Sequence, residues 1–180
     1  MNDPVPGGVL VVEGWSPDYA LEMAKTEAER NSYHKLYVTG GPLEEGAPLS
    51  EYKTYAELGA ATLQRMGMSK DAVQAVPAPY ERKDRTYTGA VALRDWFQQH
   101  GGVPNTIDLI SIGAHSRRSR LLFQMAFGND TRVGIIAVKD RSYDPNHWWK
   151  SSAGVRAVLG EMIAYGYARF LFSPTREQSQ

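Results

Sequence analysis

Five short apolar runs alternate with five stretches of helical periodicity, and this alternation constrains the fold more than any other feature of the chain. The runs are Val9–Val12, Lys35–Thr39, Val73–Val76, Ile107–Ile112 and Val133–Val138. They are nearly continuous rather than alternating polar and apolar. That pattern marks strands covered on both faces, as in a parallel sheet. The βαβαβαβαβα order, without internal repeats or a shift in composition, predicts a single-domain, three-layer, Rossmann-like α/β fold. Its mostly parallel sheet has about five strands, with helices on both faces. Residues 1–172 form the domain, and 173–180 read as a flexible tail. A chain of 180 residues suits one such domain.

The helices carry their own signals. Ser16-Pro17-Asp18 supplies a cap, a proline at the first helical position and an acid in the first turn. Ser50 is expected to cap the second helix, where Tyr52, Tyr55, Ala56, Gly59, Leu63 and Met66 recur at three- and four-residue steps. Thr86 is the expected cap of the third, with Ala90, Leu93 and Phe97 as its buried stripe. The fourth follows Gly113 and stops at Gly128. The last runs from about Ser152 to Phe172, with Val155, Leu159, Met162, Ile163, Tyr167 and Phe170 expected to face inward. Trp148 and Trp149 are expected to pack that helix onto the sheet.

Charge and composition remove several functions. Lys and Arg total 20, as do Asp and Glu, so no global positive field exists to hold nucleic acid. The chain has no cysteine, which excludes disulfides, thiolate metal sites and cysteine nucleophiles. The histidines, at 34, 100, 115 and 147, show no metal-ligand spacing. No G-x-S-x-G elbow is present. No run of about 20 uncharged apolar residues predicts a membrane span. The start of the chain lacks the basic and apolar regions of a signal peptide, and a cytoplasmic location is expected. No motif selects a cofactor.

One junction breaks a rule. After the strand Ile107–Ile112, the segment Gly113-Ala-His-Ser-Arg-Arg-Ser-Arg120 opens a helix with three arginines and a histidine in its first turns. The amino end of a helix already carries positive partial charge, and each nearby cation costs ~0.3–1 kcal/mol. A bound anion is the simplest offset. At 100° per residue His115, Arg118, Ser119, Leu122 and Ala126 share one face. Arg118 is therefore expected to be partly buried beside His115, either lining a site or in an internal salt bridge. Arg117 and Arg120 read as solvated.

The other candidates fall where strands end or helices begin, which in this fold class is one edge of the sheet. Glu13 and Gly14 close the first strand, and Gly40-Gly41 follow the second. Ser50 and Glu51 stand at the mouth of the next helix, and Thr86 opens another. A carboxylate, a histidine and a buried arginine around glycine backbone suit a small phosphorylated or nucleotide-type ligand. His115 and Glu51 are the expected acid–base pair. Glu13, Gly14, Gly40, Gly41, Ser50, Thr86 and Arg118 are the expected binding residues. The same set also suits a protein that binds such a ligand without transforming it.

Gly40-Gly41, Ser50-Glu51, Thr86 in a Thr-x-x-x-Ala stretch, and His115-x-x-Arg118-Ser119, in this order, resemble the YdcF/SanA/ElyC-like family. The resemblance spans roughly Val9 to Phe127. It implies a Rossmann-like fold and a site at Gly40, Gly41, Glu51, Thr86, His115 and Arg118. It also implies a link to bacterial cell-envelope physiology. A further alternative is an interaction protein of envelope machinery, for which the aromatic loop at Trp148–Trp149 would be the contact surface. The chain departs from the family where Thr-x-Glu-Asn-Ala is common, reading Thr86-Tyr-Thr-Gly89-Ala90 instead. It also reads Ile110-Ser-Ile112 where the family often shows Val-Thr-Ser. Its Val-Glu-Gly-Trp at the end of the first strand resembles a soluble subgroup.

Overall fold

The computed structural model describes residues 2–5, 8–31 and 33–174. The strands are β1 (Asn2–Asp3), β2 (Val9–Glu13), β3 (Leu36–Gly40), β4 (Val73–Pro77), β5 (Thr106–Ile112) and β6 (Arg132–Val138). The helices are α1 (Asp18–Arg30), α2 (Tyr55–Arg65), α3 (Arg85–Gln99), α4 (His115–Phe127) and α5 (Ser152–Phe170). They build the expected three-layer α/β fold. The sheet runs β1-β6-β5-β2-β3-β4. The five anticipated strands are parallel. The sixth, β1, is a two-residue antiparallel edge strand on β6 that was not anticipated. Residues 175–180 of the proposed tail lie outside the described residues.

Two cores sandwich the sheet. Leu10, Val12 and Val38 pack against Leu21 and Ala24 of α1 and Leu63 of α2. Val11, Leu109 and Ile135 pack against Leu93 of α3 and Leu122 and Phe123 of α4. The near-continuous apolar strands follow from this, since both faces are dry. The one charge within β5, Asp108, is fully buried. It accepts the Val5 N–H at 2.6 Å and the Tyr33 hydroxyl at 2.7 Å, which replace the water it lost.

Chain order places β2 and β5 side by side at the centre, where the connections switch direction across the sheet. A crevice opens at such a point beyond the carboxyl ends of the strands. Glu13 ends β2 there, and Ser111 and His115 follow from β5.

Four local expectations need correction. Ser50 does not cap α2. Thr54 does, in a reciprocal box with Glu57, so the helix begins later and Tyr52 lies outside it. Ser50 and Glu51 instead belong to a loop pinned at its neck by the Pro42–Thr54 bridge. Thr86 does not cap α3, because Asp84 holds the cap position in a left-handed conformation (φ 54°) with no side-chain cap bond. Ser16 supplies no cap to α1, whose cap position falls on Pro17. The inward face proposed for the last helix is wrong as well. Leu159, Met162, Ile163, Tyr167 and Phe170 are exposed, and the helix buries fully only Gly154 and Ala168. It rests on α4 rather than on the sheet. Among the described residues no helix is long and apolar enough to cross a membrane.

Candidate functional site

A cavity of about 640 Å³ lies at the carboxyl edge. Six of the nine proposed site residues line it: Glu13, Gly40, Gly41, Thr86, His115 and Arg118. Gly14, Ser50 and Glu51 do not. Gly14 is a packing residue. A Cβ there would lie 2.2 Å from the Tyr55 carbonyl oxygen, so its absence lets the start of α2 approach β2. Ser50 Oγ accepts the Tyr52 N–H at 3.1 Å, a local loop bond. Glu51 is exposed in the same loop, outside the cavity lining. It therefore does not pair with His115.

The centre of the site is a chain of alternating charges. Glu13, at 3 % exposure, accepts hydrogen bonds at Oε2 from Ser111 Oγ (2.9 Å) and Ser119 Oγ (3.0 Å). His115 Nε2 lies 3.6 Å from the same oxygen, beyond hydrogen-bond range, so that attraction is Coulombic. His115 Nδ1 lies 2.9 Å from Glu161 Oε1. Arg118 meets Glu161 with Nε at 2.8 Å and Nη2 at 3.0 Å, a two-point clamp. Nη2 also approaches His115 Nδ1 at 2.9 Å. A guanidinium only donates and a carboxylate only accepts, so Nδ1 cannot serve both. Nδ1–H donates to Glu161, and Arg118 Nη2 finds its acceptor on the same carboxylate.

The electrostatics follow from this order. Burial works to lower the His115 pKa, but Glu13 and Glu161 outweigh it and push it up to about 9. The ring is an imidazolium at neutral pH. Burial works to raise the Glu161 pKa, but His115 and Arg118 bring it down to about 2. Burial likewise opposes ionisation of Glu13, and His115 with the two serine hydroxyls holds its pKa below the usual carboxylate range. The crowded cations at the start of α4 are thus offset by two carboxylates of the chain itself. Both readings of Arg118 meet here, since it is in an internal salt bridge and also lines the cavity. Trp15 seals the other side of His115, ring edge to ring face at 5.1 Å.

The remaining cations divide differently from the expectation. Arg117 is exposed, with its guanidinium 6.0 Å from the Tyr165 ring. Arg120 is not simply solvated. Its Nη2 pairs with Asp3 Oδ2 at 2.7 Å and its Nε donates to the Val133 carbonyl at 2.9 Å. It thereby fastens β1 to the sheet.

Glu161 was missed, although the sequence carries a signal. It is the one charge between Arg156 and Arg169 in an apolar helix, and such a charge needs a partner. Arg82, Arg85 and Glu44 also line the cavity, with Arg85 paired to Glu44. Their positions depend on loop geometry that has no periodicity to read. A second cavity of about 310 Å³ shares Trp15, His115 and Glu161 with the first. Among the described residues no cluster of His, Asp and Glu is arranged to hold a metal ion. The chain matches no protein-family model and no curated protein.

Proposed function

We propose that the protein binds a small phosphorylated or nucleotide-type metabolite in the 640 Å³ cavity at the carboxyl edge of the sheet. The observation that carries this reading is a contrast among helix starts. α1 and α2 have an acid in the first turn, as the helix dipole favours. α3 and α4 have neither an acid in the first turn nor a side-chain cap, and both open on the cavity. Arg85 begins one, and His115 with Arg118 begins the other. The α4 cations are already answered by Glu13 and Glu161, and Arg85 by Glu44. What suits an anionic group is therefore the start of α3, which has no side-chain cap and has Arg82 beside it on the cavity. On this reading the first amides of α3 with Arg82 and Arg118 hold the anion. Gly41 lets the backbone come close, while Gly40, where a Cβ would lie 2.8 Å from Tyr55 Cβ, makes room for the start of α2. Glu13 and Glu161 hold His115 protonated as an acid toward the bound molecule. Membership of the YdcF/SanA/ElyC-like family, and a role in envelope physiology, belong to the same proposal and rest on the ordered residues quoted above.

A second reading, binding without reaction, is favoured by one observation. Both nitrogens of His115 face carboxylates, and Nε2 is fully buried without a hydrogen bond. Calorimetric titration with inorganic phosphate and with adenosine 5′-monophosphate tests the site. Arg118→Ala is expected to weaken binding at least about tenfold and Arg117→Ala hardly at all, since charge-assisted bonds contribute roughly 1.5–3 kcal/mol. Equal small effects overturn the site. Binding with no change in the phosphorus NMR spectrum over hours selects the second reading.

A further inference from the structure

The outer face of α5 plays no part in the site. Leu159 (43 % exposed), Met162 (63 %), Ile163 (75 %), Tyr167 (45 %) and Phe170 (80 %) point to solvent, and Leu171 (75 %) extends the patch. These side chains offer roughly 700 Å² of largely apolar surface, above what a monomer usually exposes and close to the ~800 Å² that each partner gives to a standard interface. The helix is apolar nearly all round, a composition that calls for cover on more than one side. Its inner side is held by α4 and by the turn at Trp148–Lys150.

We propose that α5 pairs antiparallel with α5 of a second copy of this chain. What points to a second copy is self-complementarity. Leu159, Ile163, Gly166 and Phe170 are spaced four, three and four residues apart, the seam of a left-handed helix pair. A two-fold axis level with Ala164 and Tyr165 sets Leu159 opposite the second copy's Phe170. It also sets Ile163 opposite the second copy's Gly166. Met162 and Tyr167 flank this seam on opposite sides, Met162 toward the second copy's Arg169 and Tyr167 toward the second copy's Gly160. Along the seam itself, each of Leu159, Ile163, Gly166 and Phe170 thus meets an apolar side chain or a glycine notch. A Cβ at Gly166 would touch nothing within 4 Å in the single chain, so the notch is open. Isologous pairing requires this reciprocity of one patch with itself. Glu161 lies on the opposite side of the same helix, so pairing would brace the helix that delivers it to His115.

Sedimentation equilibrium of the full chain tests the proposal. The expected mass is twice the 20.0 kDa of one chain. Ile163→Asp and Phe170→Asp are each expected to return it to one chain mass with an unchanged circular-dichroism spectrum, since both positions are exposed. The chain has no cysteine, so Leu159→Cys/Phe170→Cys reports the register. The two positions lie ~16 Å apart along one helix and cannot bridge within it. A covalent dimer on a non-reducing gel is expected. A single-chain mass at high micromolar concentration overturns the proposal, and so does a dimer that survives both aspartates. A single-chain protein that co-sediments with phosphatidylglycerol vesicles overturns it in favour of a lipid surface.

Discussion

Glu161 Oε1 stands 2.9 Å from His115 Nδ1, although the two residues belong to different helices and are 46 positions apart. The contact turns an unfavourable placement, a cation at the amino end of α4, into a neutralised one. It also fixes which proton the ring gives to which neighbour. Without Glu161, the imidazole would answer to Glu13 alone across 3.6 Å.

Glu161→Gln should therefore lower the His115 pKa from about 9 by about one unit or more, because one of two opposing carboxylates is lost. A proton NMR titration of the imidazole measures it. An unchanged midpoint would show that Glu13 alone sets the charge.

Stability should depend on pH at both ends. His115 has a folded pKa of about 9 against an ordinary 6.5. Its contribution is full below 6.5 and is lost as the pH rises through 9. Glu161 has a folded pKa of about 2 against an ordinary 4.5. Its contribution is full above 4.5 and is lost as the pH falls through 2. Each end is worth roughly 2–3 kcal/mol. Urea denaturation across the range should give a plateau between 4.5 and 6.5, and the alkaline fall should vanish in His115→Ala.

Glu13→Gln should cost about 2–4 kcal/mol, since it replaces the acceptor of two buried hydroxyls and takes a charge from beside an imidazolium. Chemical denaturation gives the number. A loss below about 0.5 kcal/mol would mean that the buried charge is idle in the fold.

The glycines should separate by role. Gly14→Ala drives a Cβ to 2.2 Å from the Tyr55 carbonyl oxygen, with backbone on both sides of the clash. It should cost ~2 kcal/mol or more. At Gly41 the nearest atom to an added Cβ is the Pro79 carbonyl oxygen at 3.7 Å, an ordinary contact. Gly41→Ala should melt within a few degrees of the parent while weakening phosphate binding, as thermal melts and calorimetry on both variants would show.

Much of the architecture was legible in the chain. Apolar runs buried on two faces identify parallel strands, and their alternation with helical stripes leaves few arrangements. The register of β2 beside β5, which brings Glu13 to Ser111 and Ser119, comes from topology that no local pattern specifies. Thr54 outcompeted Ser50 as a cap because Glu57 stands three residues on to complete the box, a signal present in the sequence and passed over. The face of α5 was misread for a different reason. A helix apolar nearly all round has no amphipathic direction, so periodicity cannot say which side meets α4.

The sequence by itself determined the five parallel strands, the five helices that alternate with them and the presence of an oddly charged helix start at His115. Only the tertiary structure decided what answers that charge. Glu13 comes from the first half of the chain and Glu161 from its last helix, and a pairing across such separations is set by packing, which local propensity does not encode.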